Sequence, residues 1–159
     1  MLIATGMVVG LFESSIPLPV AIPGARLGLS NIVVLVTITV FGYKEGFTVA
    51  ILKSLLLVLV TGAVTSFAFS FAGTMLSTCS MILAHKYLKK YISLIGISEI
   101  GSFFHNMGQV LMASLILQNS KIFVYFPVLV LLGLFTGYFV GIASIFVEKN
   151  LKKNIKEFI

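Results

Sequence analysis

The sequence predicts an all-α integral membrane protein, a single bundle of about six transmembrane helices. Of its 159 residues, 58% are hydrophobic and only 10% are charged, and the mean hydropathy is +1.12. An ordinary soluble domain has roughly 45–50% apolar and about 25% charged residues. The apolar residues also fall into runs close to the roughly 20 residues with which a helix crosses a bilayer. Composition and run length therefore agree on a membrane protein.

The first three predicted spans lie near residues 1–17, 26–43 and 46–62. The first span is short, and it ends at a break over 17–24 that contains three prolines. The second and third spans are separated by a glycine-containing break over 42–46. Glycine and proline interrupt regular structure, so both breaks predict turns between helices.

The last three predicted spans lie near residues 64–86, 96–118 and 122–147. Only Gly62 separates the third span from the fourth, which makes that boundary the weakest. A lysine-rich stretch over 85–91 ends the fourth span. No break is long enough for a second domain or a soluble enzyme module. All 159 residues are therefore expected to form one transmembrane domain.

The basic residues predict the orientation of the spans, because cytoplasmic loops hold the excess of positive charge. With six spans and the N-terminus inside, eight lysines are cytoplasmic, whereas only Arg26 and Lys121 are outside and Lys53 lies within a span. We expect a multi-pass protein of the cell membrane with both termini cytoplasmic. The charges fit membrane lipid headgroups, and no nucleic acid is expected, since no basic domain is present to bind it. The eight are Lys44, Lys86, Lys89, Lys90, Lys149, Lys152, Lys153 and Lys156.

The sequence lacks the residues that several kinds of catalysis and nucleotide binding require. All five acidic residues are glutamates, so the aspartate-rich motif with which prenyl diphosphate synthases bind magnesium is absent. The GxxxxGK[ST] phosphate loop and the HExxH, CxxC and GxSxG motifs are absent as well. We therefore expect no catalytic residue, no cofactor and no metal site. Any coupling to ATP must come from a partner.

Polar side chains gather on one face of the fifth predicted span. At about 100° per residue, six of them fall within an arc of about 120°. Ionisable groups inside a membrane are costly and normally face a cavity or a partner. The stripe either forms interhelical hydrogen bonds or lines a water-filled ligand site, and six polar groups favour the site. The stripe consists of Ser98, Glu99, Ser102, His105, Asn106 and Gln109.

The stretch PGARLGLSNI places Arg26 and Asn31 at the outer end of the second span. The positive-inside rule disfavours Arg26 there, so topology does not explain it. We expect both residues to contact a ligand that enters past a gating loop over 17–25. The alternative for Arg26 is pairing with Glu13. The predicted substrate-binding residues are Arg26, Asn31, Glu99, His105, Asn106 and Gln109.

Two further features have two interpretations each. Lys53 lies about eight residues into the third span, where it either extends to the membrane interface or forms an internal ion pair with Glu13 or Glu99. Gly6 and Gly10 form a small-xxx-small pair in the first span. Such a pair lets helices approach closely, either inside the bundle or at the docking face for another membrane protein.

Four stretches carry a family resemblance over nearly the whole chain: PGARLGLSNI, GSFFHNMGQVLMAS, YFPVLVLLGLFTGYFVG and the pair Glu13 and Ser14. The sequence resembles the Gx transporter family, whose members are often labelled heptaprenyl diphosphate synthase component I. That family is similar to the S components of energy-coupling-factor (ECF) transporters. S components are six-helix membrane proteins that capture a small molecule from outside and dock on a coupling membrane protein and two ATPases.

The resemblance implies a substrate-binding transport component that is not an enzyme and relies on partner ATPases. In S components, an AxxxA motif on the first helix meets the coupling protein. This chain has Gly6 and Gly10 at the corresponding place, with Ala4 nearby. The synthase label fits poorly with a chain that lacks aspartate. The alternative is a non-catalytic membrane subunit associated with heptaprenyl diphosphate synthase or with isoprenoid or quinone biosynthesis.

Overall fold

The computed structural model describes residues 2–16 and 26–157, with side chains described as far as residue 154. Within these residues the chain forms six α-helices, one 3₁₀-helix and no strand, which confirms the all-helical class. The 3₁₀-helix, Ser120–Tyr125, leads directly into the last α-helix. The α-helices are α1 (Leu2–Ser14), α2 (Asn31–Val40), α3 (Tyr43–Thr61), α4 (Val64–Leu88), α5 (Leu94–Ile116) and α6 (Phe126–Glu157).

In the described part of the chain, two helical stretches are long and apolar enough to cross a membrane, namely α4 and Ser120–Asn154. The helices α3 and α5 have 19 and 23 residues, but they carry charged or polar side chains. The helices α1 and α2 are apolar but shorter, with 13 and 10 residues.

The start of α2 differs from the sequence prediction. The predicted span begins at residue 26, whereas the helix begins at Asn31. Gly28 has a φ of +83°, a left-handed conformation that glycine adopts without steric cost. Its carbonyl oxygen accepts the backbone N–H of Asn31 at 3.0 Å, which opens the helix. Residues 26–30 therefore form a non-helical segment, and α2 itself is only about 15 Å long.

Glycines set the close contacts among α4, α5 and α6. A Cβ atom on Gly108 of α5 would lie 2.8 Å from the Cα of Gly73 on α4. On α6, a Cβ on Gly133, Gly137 or Gly141 would lie under 3.0 Å from atoms of α5. These glycines let α5 lie between α4 and α6 with its backbone close to both.

The interior has two apolar clusters with polar side chains between them. One cluster surrounds Leu35, Met81 and Ile97, and the other surrounds Phe69 and Val110. Along α5, the buried polar residues fall between Ile97 and Val110. The apolar clusters therefore close the interior at both ends of the polar region.

The outer faces of the helices expose large apolar side chains. Phe12, Leu59 and Phe135 are 69%, 78% and 68% exposed, whereas Glu13 and Lys53 are each 3% exposed. Soluble proteins bury large apolar side chains and leave most charged ones in solvent. At these positions the bundle instead exposes large apolar side chains and buries charged ones.

Candidate functional site

Side chains from α1, α2, α3, α4 and α5 meet in the polar region between the two apolar clusters. All of them are buried, although half of them are charged or titratable residue types. Buried polar groups of this kind are stable only when hydrogen bonds or opposite charges satisfy them. We call this set the polar core: Glu13, Arg26, Ser30, Asn31, Lys53, Ser77, His105 and Gln109.

Glu13, near the end of α1, binds the backbone that leads into α2. Its Oε1 accepts a hydrogen bond from the N–H of Gly28, and its Oε2 accepts one from the N–H of Ser30 at 3.3 Å. The first N–H groups of a helix have no partner within the helix, and a carboxylate there is electrostatically favoured. Glu13 therefore satisfies, from a different helix, two backbone N–H groups of the segment directly before α2.

Lys53, from α3, approaches the same segment from its other side. Its ammonium donates to Ser30 Oγ at 2.9 Å and to Asn31 Oδ1 at 3.1 Å. The predicted pair between Glu13 and Lys53 is not a direct one, because the backbone N–H and the hydroxyl of Ser30 stand between the two charges. An ion pair within 4.0 Å forms between Lys152 and Glu148 on α6, far from Glu13 and Lys53 in the chain.

Asn31 joins three helices through its side-chain amide. Its Oδ1 accepts from Lys53 of α3, and its Nδ2 lies 3.3 Å from both Ser77 Oγ of α4 and His105 Nδ1 of α5. An amide nitrogen only donates, so a hydrogen bond from Asn31 requires the His105 tautomer with its proton on Nε2. His105 also contacts the backbone of Gly73 on α4, and the tautomer with its proton on Nδ1 fits that contact. His105 Nε2 is buried and has no hydrogen-bond partner among the described residues.

Gln109 fixes the segment that holds Arg26. Its Oε1 accepts the Arg26 backbone N–H at 2.7 Å, and its Nε2 donates to the Arg26 carbonyl at 2.8 Å. The Arg26 side chain is 6% exposed and shares a narrow gap with Ser54, Thr61 and Ser70. Its guanidinium makes no hydrogen bond to a described residue, and no described carboxylate lies within 4.0 Å.

Three other stripe residues of α5, namely Glu99, Ser102 and Asn106, lie against α6. Ser102 Oγ donates to the carbonyl of Gly133 at 2.8 Å, and Asn106 Nδ2 donates to the carbonyl of Leu129 at 2.7 Å. Ser102 and Asn106 therefore form interhelical hydrogen bonds, which the sequence analysis gives as the alternative to a ligand site. Glu99 lies beside Gly137, and its Oε2 is buried without a partner in the described chain.

Gly6 and Gly10 of α1 both face the interior of the bundle. A Cβ on Gly6 would lie 3.4 Å from Lys53 Cδ, and one on Gly10 would lie 3.2 Å from Leu57 Cδ2. Both glycines therefore pack α1 against α3, and docking through them requires α1 to leave α3. The predicted gating loop over 17–25 lies outside the described residues.

A small cavity adjoins the polar core. It has a volume of about 10 Å³ and lies among Gly28, Asn31, Ser77, Ser102 and Thr136. This is the room that one water molecule needs. A larger ligand can enter only if the segment over 26–30 or a neighbouring helix moves. Among the described residues, no three His, Cys, Asp or Glu side chains gather as a metal site would require.

Sequence reasoning missed Ser30 and Ser77 as members of the polar core. Ser30 precedes the first helical residue, the position where serine commonly caps a helix, but the predicted start at residue 26 concealed it. Ser77 lies on a face of α4 with Ser70 and Gly73, and small residues on such a face predict close packing equally well.

Comparison with known proteins gave one match. A family model described as heptaprenyl diphosphate synthase component I matches residues 2–147, which include α1 to α5 and most of α6. Neither the curated proteins nor the solved structures gave a match. The match covers every residue of the polar core.

Proposed function

The chain belongs to the heptaprenyl diphosphate synthase component I family, and from that premise we propose that it is a substrate-binding membrane component of an ECF-type transporter. It captures a small molecule from the outer face of the cell membrane. It has no catalytic residues of its own, and a coupling membrane protein with ATPases supplies the energy. The observation that carries the proposal is the polar core, closed inside a bundle with an apolar exterior.

The distribution of polar and apolar groups supports a membrane location for the bundle. Glu13, Lys53 and His105 are at most 3% exposed, while large apolar side chains cover the outer faces of the helices. Water satisfies charges at a protein surface, but a bilayer cannot, so membrane proteins keep ionisable groups inside. An exterior rich in exposed leucine and phenylalanine is also unfavourable in water.

The positions of the lysines support both termini lying in the cytoplasm. Tyr43 at the start of α3 hydrogen-bonds His85 near the end of α4 at 3.0 Å, which brings Lys44 and the lysines of α4 to one end of the bundle. Lys89 and Lys152 line one cavity there. Arg26 lies with Thr61 at the end of α3, hence at the opposite end. One lysine-rich end fits the positive-inside rule.

Unsatisfied groups in and beside the polar core support ligand binding. His105 Nε2 and Glu99 Oε2 are buried without partners among the described residues, and an unpaired buried polar atom costs about 1–3 kcal/mol. The Arg26 guanidinium also makes no hydrogen bond to a described residue. A small anionic molecule with acceptor atoms satisfies Arg26 and His105 once residues 26–30 move aside.

The family description names a synthase component, and this favours a second function. In this alternative the chain is a non-catalytic membrane subunit that holds a soluble heptaprenyl diphosphate synthase at the lysine-rich end. The absence of aspartate from the sequence argues against catalysis by the chain itself. The two functions differ in whether a small molecule or a soluble protein accompanies the purified chain.

The test is native mass spectrometry of the detergent-purified protein, with Arg26→Met as the principal variant. Gln109 binds only the backbone of Arg26, so this substitution keeps both of those hydrogen bonds. Ser144→Ala is the control, because Ser144 is buried in α6 with no partner in the described chain. We expect a small molecule on the wild type and on Ser144→Ala, and at least about tenfold less on Arg26→Met, since a buried charged hydrogen bond contributes about 1.5–3 kcal/mol.

Two results would contradict the proposal. Equal ligand retention by a folded Arg26→Met variant excludes the assigned site. A prenyl synthase subunit that co-purifies in stoichiometric amount, with no small molecule bound, favours the second function.

A further inference from the structure

An apolar groove runs along the outer side of α4 and α5. It encloses about 460 Å³ and is lined by Leu76, Leu83, Tyr87, Ile100 and Phe104, among others. The hydroxyl of Ser80, which also lines it, donates to the carbonyl of Ser77 on its own helix at 2.8 Å. The groove therefore has almost nothing to hydrogen-bond a ligand and is suited to a hydrocarbon chain.

A basic cavity adjoins this groove at the end of α4. It encloses about 390 Å³ and is lined by Lys86, Lys89 and Lys90 with Tyr87 and Tyr91. Tyr87 lines both the groove and the basic cavity. Lys86 lies in the last turn of α4, and Lys89 and Lys90 directly follow its last residue, Leu88, so the three ammonium groups are close together in the chain.

Lys86, Lys89 and Lys90 form no ion pair within 4.0 Å with a described carboxylate. Lys89 also lines a neighbouring cavity that contains Glu148 and Lys152. Lys86 instead lies over the ring of Tyr87, with its Nζ 5.3 Å from the ring centroid. Three cations beside one apolar groove match a molecule that has an anionic head and a hydrocarbon tail.

We propose that the groove and the basic cavity together bind one acidic phospholipid. One acyl chain lies against Leu83 and Phe104, and the headgroup phosphate contacts the three lysines. All residues of the basic cavity come from the end of one helix, and lysine clusters directly beside a membrane helix at the cytoplasmic side attract acidic headgroups. The inference rests on the proposed membrane location, because the lysine-rich end must lie at the cytoplasmic surface.

A partner helix fits this groove less well than a lipid does. Helices that associate in membranes use small residues to bring their backbones together. Leu83 and Tyr87 are 56% and 64% exposed, so they present large side chains to a partner. An uncharged helix would also leave the three lysines without a counter-ion.

Cys79, the only cysteine in the sequence, makes the groove accessible to a direct test, since it is exposed and lines the groove. The protein is labelled there with a small fluorophore and reconstituted in phosphatidylcholine vesicles that contain a tenth of brominated lipid. We expect brominated phosphatidylglycerol to quench the label more strongly than brominated phosphatidylcholine at the same mole fraction. Equal quenching by the two lipids overturns the proposal.

A charge-matched pair of variants tests the role of the lysines. In Lys86→Gln/Lys89→Gln/Lys90→Gln, the preference for phosphatidylglycerol should fall at least about tenfold, given roughly 1 kcal/mol per lysine near an acidic surface. In Lys44→Gln/Lys149→Gln/Lys153→Gln, which loses the same charge elsewhere, the preference should stay within about twofold. An equal loss in both triple variants reduces the effect to net charge and overturns the specific site.

Three further outcomes bear on this inference and on the proposed function. A polyprenyl diphosphate that displaces phosphatidylglycerol at equal concentration identifies a different occupant and overturns the phospholipid. A protein that inserts into vesicles with no preference among lipids contradicts only this inference. A protein that does not insert at all contradicts the proposed membrane location.

Discussion

The side-chain amide of Gln109 pairs with both backbone groups of Arg26, 83 residues away in the chain. The two hydrogen bonds measure 2.7 and 2.8 Å, and Gln109 is fully buried. In a helix that begins at residue 26, the Arg26 carbonyl would instead accept the backbone N–H four residues later. Gln109 thus holds residues 26–30 in their non-helical form. In that form the segment forms hydrogen bonds with Glu13 and Lys53.

Shortening the Gln109 side chain should destabilise the protein. In Gln109→Asn, the amide no longer reaches both groups of Arg26, and two backbone groups are left buried without partners. We expect a loss of about 2–4 kcal/mol in the free energy of unfolding, since each unsatisfied group costs about 1–3 kcal/mol. The measurement is equilibrium unfolding in detergent.

The matched control is Gln118→Asn. Gln118 is exposed and has a φ of +48°, a conformation that asparagine tolerates well. It should change stability by less than about 0.5 kcal/mol. Similar losses for both substitutions would mean that the Gln109 pairing contributes nothing specific.

A double-mutant cycle should detect coupling between Glu13 and Lys53. Both charges act on Ser30, so removing one leaves the other buried with less compensation. We expect Glu13→Gln and Lys53→Met each to cost about 2–4 kcal/mol, and the double variant to cost about 1–3 kcal/mol less than their sum. The corresponding cycle on Lys44 and Glu45, both exposed, should show no coupling above about 0.5 kcal/mol. Strict additivity at 13 and 53 would show that Ser30 does not connect the charges.

Replacing Gly108 with alanine should push α4 and α5 apart. The new Cβ would lie 2.8 Å from both the Cα of Gly73 and the carbonyl oxygen of Ala72, and backbone atoms cannot move aside as a side chain can. We expect a loss of about 1–3 kcal/mol in thermal unfolding experiments. Gly96→Ala, in the same helix, meets only side-chain atoms of Ile92 at 3.3 Å and should stay within about 1 kcal/mol of the wild type. Equal tolerance of both alanines would contradict the close helix crossing.

The proposed orientation predicts which residues are reached from outside the cell. In a Cys79→Ser background, a cysteine replacing Lys121 should react with a membrane-impermeant maleimide in intact cells. A cysteine replacing Lys44 should react only after permeabilisation, because it lies at the lysine-rich end. Both positions are exposed in the structure, so burial does not explain a difference. Labelling of both cysteines in intact cells would exclude the proposed topology.

The sequence predicts the helices well because apolar run length is a local property. Five helices begin and end within a few residues of their predicted spans or extend past them at one end, and the family resemblance is confirmed by the family match. The start of α2 is different. Residues 26–30 are compatible with a helix when taken alone, and it is Gln109 and Glu13, distant in the chain, that favour the left-handed turn at Gly28.

The sequence predicts which polar residues of α5 share one face of the helix, but it does not predict which groups they contact. A period of 100° per residue places the stripe of α5 on one side of the helix, but it does not say what lies opposite. In the structure, α5 lies between α6 and the segment over 26–30. Asn106 therefore binds the α6 backbone, while Gln109 binds that of Arg26. Interhelical partners of this kind depend on the packing of the whole bundle, which periodicity does not contain.

The bridge that Ser30 forms between Glu13 and Lys53 has a consequence for biogenesis. The ribosome delivers α1 before α3, and a lone ionisable residue at the centre of a membrane helix, where Lys53 lies in α3, opposes insertion by about 2.5–3.5 kcal/mol. Glu13 and Lys53 find their partners only when the chain between them has folded against both. For a chain that enters a bilayer, α1, α2 and α3 are then best released from the translocon together, as one insertion unit.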